Sequence, residues 1–212
     1  MTTTPPASNS APVAADAPDA PGLRCRFCEA PLRHSVVDLG TSPLCESYVP
    51  AERLNHGETF YPLHVYVCAE CFLVQIDEYV SPEEIFSEYA YFSSYADTWL
   101  EHARRYVDTI TERLGLDASS RVVELASNDG YLLQYFVERG IPALGVEPAE
   151  NVAEAALEKG VETRIAFFDD AYARELVAEE GKADLVIGNN VLAQVPNLNS
   201  FVRGMKRILA EG

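Results

Sequence analysis

The chain has 212 residues, 48% of them hydrophobic, and a formal net charge of −17. That length holds one large domain or a small one beside a medium one, and that apolar share suits a chain with a buried core. The acidic balance repels polyanions and argues against a nucleic-acid partner, while the lack of a run of roughly 18 apolar residues and of a basic, apolar leader argues against a membrane span or a secretory signal.

A cytoplasmic protein is therefore expected. Residues 1–22 are half proline and alanine with almost nothing large and apolar, which predicts a disordered tail. Residues 23–80 hold all five cysteines and short strand-like runs at Val65–Val67 and Leu73–Ile76, with no long helical pattern. So small and loop-rich a unit needs a staple. Residues 81–116 read as helical. Ser81, Pro82 and Glu84 form an N-terminal capping signature. A second helix over about 94–114 sets Trp99, Ala103, Tyr106, Val107, Ile110 and Leu114 on one face.

From Ser120 onward strands and helices alternate. Strands are expected at 121–126, 143–146, 163–166 and 183–188. Helices are expected at 129–139, with Leu132, Leu133, Phe136 and Val137 inward, and at 149–159, 170–180 and 198–209. Four such units in a row predict an α/β fold for residues 117–212, a Rossmann-like parallel sheet with right-handed crossovers. Open sheets of this kind usually carry more strands, so the domain reads as incomplete at its C-terminal end.

Cys25 and Cys28 form one C-x-x-C pair, Cys68 and Cys71 another, 39 residues apart. Two tight turns of this kind supply the four-sulfur tetrahedron that Zn2+ favours in structural sites, with the thiols bound as thiolates. A redox pair, or four thiols buried by coincidence, are the alternatives. Cys45 has no partner at ligand spacing and is expected to be a small buried hydrophobe. His34, His56 and His64 also lack one.

The strand RVVELA runs into SNDGYLLQ, so Glu124, Ala126, Ser127, Asn128, Asp129 and Gly130 form the first turn at the carboxyl edge of the sheet, where such folds bind ligands. A G-x-G-x-x-G phosphate cradle is missing; only Gly130 remains. Glu147, followed by Pro148, ends the second strand 23 residues after Glu124, a position suited to ribose hydroxyls. Phe167 and Phe168 follow the third strand, where an adenine ring could lie. Asn189 and Asn190 end the fourth. Ribose without pyrophosphate points to S-adenosylmethionine, whose sulfonium and ammonium favour carboxylates and amide oxygens. A nicotinamide-dependent oxidoreductase is the rival, weakened by the lost glycines. A zinc and cofactor-binding module without catalysis is another.

CRFC, YPLHVYVCAECFLVQ, FSEYAYFSSY, VVELASNDGYLL, GVEPAENVAEAALEKGV, FFDDAYA and IGNNVLAQVPNL together resemble the nucleotide-diphospho-sugar C-methyltransferases that make branched deoxysugars for antibiotics. The resemblance covers most of residues 24–210. It implies that Cys25, Cys28, Cys68 and Cys71 hold zinc, and that Glu124, Asn128, Gly130, Glu147 and Phe168 lie in the cofactor-binding region. It further implies that Tyr89 and Tyr91 reach the sugar of a thymidine-diphospho 4-keto-deoxysugar, methylated on the ring carbon beside the ketone. Methylation of another small-molecule acceptor remains an alternative. Two positions depart from the family pattern: Ala126 stands where a glycine is usual, and Gln194 where a histidine is. Family members run to roughly twice this length, so the general base is expected beyond residue 212, and this chain is expected to bind cofactor weakly and turn over little substrate. Sequence leaves the oligomeric state open.

Overall fold

A computed structural model describes residues 22–211. The expected disordered tail lies outside the described residues, apart from Gly22. Among those residues no helix is long and apolar enough to cross a membrane.

The chain divides into two compact units. One takes in Pro62–Asp77 and the described residues up to Ser42. It contains a three-stranded sheet in the order β1 (His34–Ser42), β2 (Tyr61–Val67), β3 (Val74–Ile76). β2 and β3 pair antiparallel, Tyr66 opposite Gln75. β1 was not foreseen, because nearly all of it is exposed and no apolar alternation marks it. The unit's core is small: Cys25, Leu32, Tyr66 and Cys68 are buried, with Leu23, Ala30, Cys71 and Leu73 against them.

The other unit takes in Pro43–Tyr61 and residues from Glu78 onward. Residues 43–61, read with the cysteine segment in sequence, thus fall in this unit. Cys45, expected to be buried, is exposed there; its neighbours Glu46, Ser47 and Tyr48 are exposed as well, so no core forms around it. Ser81 caps α1 (Pro82–Phe86) by accepting from the Glu84 N–H. α2 (Asp97–Leu114) buries Ala103 and Val107 and ends at Gly115, whose φ of 66° is left-handed. Trp99, Tyr106 and Ile110 pack beside them, whereas Leu114 is exposed in the last turn.

Four parallel strands follow in the order β6-β5-β4-β7: β4 (Val122–Leu125), β5 (Ala143–Glu147), β6 (Thr163–Ile165) and β7 (Leu185–Ile187). The helices between and after them are α3 (Gln134–Glu138), α4 (Glu150–Glu158), α5 (Asp170–Glu180) and α6 (Leu198–Ile208). Side chains alternate across β4. Val122 joins α2 and α3 in one core, and Val123 and Leu125 join α5 and α6 in the other. Strand order runs outward through β5 and β6, then reverses to β7 on the other flank of β4. That reversal opens a crevice at the carboxyl ends of β4 and β7.

The helix expected over 129–139 shrinks to α3. Residues 128–133 are turns, because Asn128 (φ 50°) and Gly130 (φ 73°) are left-handed and cannot begin an α-helix there. Val137, read as inward, is exposed within α3, whose buried residue is Phe136. Glycine is required at 145, where an added Cβ would meet the Ser127 hydroxyl at 2.3 Å.

Candidate functional site

The four paired cysteines come together. Both turns are built alike: the Glu29 N–H donates to the Cys25 carbonyl and the Cys25 N–H to the Ala30 carbonyl, both at 2.9 Å. Phe72 with Cys68, and Cys68 with Leu73, repeat the pattern at 3.0 Å. Glu29 and Phe72 are both left-handed at φ 63°. Each turn thereby aims two sulfurs the same way. The sulfurs of Cys25 and Cys71, and of Cys28 and Cys68, are 3.5 Å apart, and all four lie within 4.8 Å of one another. A tetrahedral zinc about 2.3 Å from each sulfur separates the sulfurs by about 3.8 Å, so this donor set fits the ion. Burial opposes ionisation of Cys25, yet the Cys28 and Phe27 backbone and the Gln75 amide bring its thiol down to about 6. The Leu73 N–H favours the Cys71 thiolate, but desolvation and three neighbouring sulfurs push it up to about 12. A cation removes that conflict. Four protein ligands would leave no open position, so a metal held here would be structural. His64 is engaged elsewhere, with the Ser35 hydroxyl at 2.8 Å and the Tyr66 hydroxyl at 2.9 Å.

In the second unit, a cavity of about 770 Å³ opens at the carboxyl ends of the parallel strands. That is ample for a cofactor-sized ligand. The ends of β4 and β5 contribute Ala126, Asn128, Glu147 and Pro148. Phe167, Phe168 and Asp169 come from beyond β6, and Asn189, Asn190 and Gln194 from beyond β7. Tyr89 and Tyr91 also line it, 6.4 Å apart and edge to face. Phe168 is wedged edge-on against Phe201 at 5.2 Å. Gly204 makes the space, since a Cβ there would meet the Phe168 ring at 2.9 Å.

Sequence reading missed Glu46, Trp99, Tyr131 and Asp169, which share the lining. The Trp99 and Tyr131 rings stack at 6.0 Å. The aromatic stripe of α2 hinted at Trp99; nothing in the sequence singled out Glu46, which a loop delivers. Among the described residues the lining carries four carboxylates, Glu46, Glu83, Glu147 and Asp169, and no lysine, arginine or histidine. Such a field favours a cationic ligand and disfavours a pyrophosphate.

Two residues expected at the cofactor do not line the cavity. Gly130 is absent from the wall. An added Cβ there would lie 3.1–3.2 Å from Val161 and Ala156, so its lack of a side chain serves close packing. Glu124 sits behind the wall, wholly buried. The Asn189 Nδ2 approaches its Oε1 at 3.4 Å and also donates to the Tyr131 hydroxyl at 3.0 Å. Its Oε2 has no partner among the described residues. Burial pushes the Glu124 carboxyl up to about 8, against the pull of Tyr131 and Asn189.

Asn128 and Glu147 are present but partly engaged. Glu147 Oε2 accepts the Asn128 N–H at 2.8 Å and Oε1 accepts the Ala149 N–H at 2.9 Å. Each oxygen keeps a second lone pair. Burial pushes this carboxyl up while both amides pull it down. The Asn128 side chain points at residues 91–93 rather than at the cavity centre: it donates to the Tyr91 carbonyl at 3.0 Å and accepts the Ser93 N–H at 2.8 Å. Burial, then the charge of Glu46, pushes the Tyr89 phenol up, so it stays protonated and able to donate.

A family model described as "Methyltransferase domain" matches residues 99–212, more than half of the chain. The chain belongs to this methyltransferase family. A second model, described as "Putative zinc binding domain", matches residues 25–86, which contain all four clustered cysteines. The chain is similar to C-methyltransferase NovU of Streptomyces niveus, 36% identical over 186 residues; the match covers 88% of this chain and 44% of NovU. The chain thus spans less than half the length of that relative. Among solved structures, it is similar to a SAM-dependent methyltransferase from Thiobacillus denitrificans in complex with S-adenosyl-L-homocysteine, with 20% identity and a TM-score of 0.40 over 51% of this chain and 45% of that one. It is also similar to magnesium protoporphyrin IX methyltransferase from Synechocystis, with 15% identity and a TM-score of 0.42 over 52% and 51%. The fold assignment rests on the strand order itself.

Proposed function

We propose that the protein is an S-adenosylmethionine-dependent C-methyltransferase of the cytoplasm, acting on a nucleotide-linked 4-keto-deoxysugar, with zinc as the tie of its cysteine unit. The observation that carries the cofactor reading is Glu147, at the end of β5, on the wall of an aromatic cavity that holds carboxylates and, among the described residues, no cationic side chain. Its free lone pairs suit ribose hydroxyls, and Phe168 suits an adenine face. The same charge pattern opposes a nicotinamide dinucleotide, whose pyrophosphate needs backbone N–H groups or cations. The similarity to NovU, a C-methyltransferase by name, supports carbon as the acceptor atom.

Methylating carbon beside a ketone requires removal of the α-proton, stabilisation of the enolate oxygen and an in-line methyl. S-adenosylmethionine, when bound, supplies the electrophilic methyl. Tyr89, held protonated, donates a hydrogen bond to the ketone or the enolate oxygen, and Tyr91 orients the sugar. Ala126, Pro148 and the aromatic rings exclude water around the donor, while Asn189 and Asn190 fix its polar end.

Calorimetry with S-adenosylhomocysteine present tests the acceptor. A thymidine-diphospho 4-keto-6-deoxysugar is expected to bind, and Tyr89→Phe and Tyr91→Phe to weaken it about tenfold each. Failure of that sugar to bind the cofactor complex would remove the acceptor reading. Failure of S-adenosylhomocysteine itself to bind would remove the cofactor reading.

A further inference from the structure

The stretch that carries Tyr89 and Tyr91 is fastened at three points. The Asn151 side chain grips residue 89 from both sides, accepting its N–H at 3.0 Å and donating to its carbonyl at 2.7 Å. Asn128 does the same for residues 91 and 93. Asp129 Oδ2 accepts the Ser94 N–H at 3.2 Å, and the Lys159 ammonium reaches Asp129 Oδ2 at 2.9 Å and the Ser94 hydroxyl at 2.7 Å.

Two of these clamps belong to the turn after β4, and that turn is tied to the cofactor side of the cavity. The Asn128 N–H donates to Glu147 Oε2 at 2.8 Å, so one residue touches the proposed ribose acceptor with its backbone and the tyrosine stretch with its side chain. Asn128 is left-handed at φ 50°, a conformation that costs an L-residue free energy. The turn is therefore held by its bonds at both ends.

We propose that Asn128 is a positioning residue that couples cofactor occupancy to the order of the Tyr89–Tyr91 stretch, so that the acceptor side of the cavity is set only once the cofactor is bound. This rests on the cofactor reading above. A ligand whose hydroxyls donate to Glu147 holds that carboxylate in place, so that its bond with the Asn128 N–H opens less often. The stiffened turn then holds Tyr91 and Ser93 more firmly. The coupling is a shift in population between fastened and loosened stretches.

Hydrogen exchange on the 212-residue protein, with and without saturating S-adenosylhomocysteine, tests it. In the unsubstituted protein the ligand is expected to slow exchange over residues 89–95 by about tenfold or more. Asn128→Gly keeps the left-handed backbone, which glycine adopts freely, and keeps the N–H to Glu147, but deletes the clamp. In N128G, at ligand concentrations that calorimetry shows to saturate the variant, the ligand is expected to slow exchange over 89–95 by less than about twofold. Asn151→Ala, which removes a clamp outside the turn, is expected to raise basal exchange near Tyr89 and leave the ligand-dependent change in place. Ligand binding without protection of 89–95, or equal protection in N128G, would overturn the proposal while leaving the cofactor reading intact. No binding of the ligand to the unsubstituted protein would overturn both.

Discussion

The Lys159 ammonium lies 2.9 Å from Asp129 Oδ2 and bonds the Asp129 carbonyl at the same distance. The Asp129 side chain is 2% exposed, and its Oδ1 has no partner among the described residues. Lys159 follows α4, so this pair ties that helix to the turn after β4. Replacing Lys159 by Met leaves a nearly buried carboxylate without its cation. Loss of a partner from a buried pair costs about 3–5 kcal/mol, and the one-third exposure of Lys159 lowers that to about 2 kcal/mol. Urea unfolding of K159M checks this; an unchanged midpoint would mean the pair contributes nothing.

Ala126 occupies the left-handed region at φ 56°, at the position where glycine is usual in the sequences this chain resembles. Left-handed backbone costs an L-residue about 1–2 kcal/mol, partly offset by the greater unfolded entropy of glycine. Ala126→Gly is expected to stabilise the protein by about 0.5–1 kcal/mol and to widen the cavity floor by one methyl group. Thermal unfolding reads the first effect. A lower melting temperature in A126G would show that the Ala126 methyl packs usefully there.

Glu124 carries the clearest pH dependence. Its folded carboxyl titrates at about 8, raised by burial above the ordinary 4.5. The folded state therefore holds a proton that the unfolded state has lost between those values. Stability contributed by the neutral acid is fully present below about pH 4.5 and declines as pH rises toward 8. Glu147, raised by the same cause, adds in the same sense. Unfolding free energy is expected to fall between pH 6 and 8.5 at saturating zinc, and Glu124→Gln to flatten that slope. Identical slopes in E124Q and the unsubstituted protein would exclude Glu124 as the source.

Much of this architecture could be read from the chain. Alternating strand and helix periods gave the parallel sheet, because the short apolar runs of β4, β5 and β7 are each followed by a helical period. The two C-x-x-C spacings gave the sulfur cluster, because each spacing is a local turn. What the residues of the first turn do was less legible. Glu124, Asn128 and Gly130 sit in the expected stretch, yet one lies behind the wall, one clamps residues 91–93 and one makes room for Val161. Their directions follow from left-handed backbone at Ala126 and Asn128, which no spacing rule signals. Glu46 was hidden for another reason: a loop between β1 and β2 brings it to the cavity, and loops carry no period.

The cysteine unit is expected to hold one zinc per chain. Cys68→Ser is expected to abolish retention and to unfold the unit, because its apolar core is too small to persist alone. Exposed Cys45 lies outside the sulfur cluster, so Cys45→Ser is expected to leave zinc content unchanged. Elemental analysis of the three proteins reads both outcomes. Zinc retained by C68S would exclude the four-sulfur assignment.

The most direct measurement is calorimetric titration of S-adenosylmethionine into the protein, beside NADH and beside Glu147→Ala. Saturable binding of S-adenosylmethionine, no detectable binding of NADH, and at least about a tenfold weakening in E147A are the predicted results. No heat with S-adenosylmethionine, or equal affinity for NADH, would contradict the account.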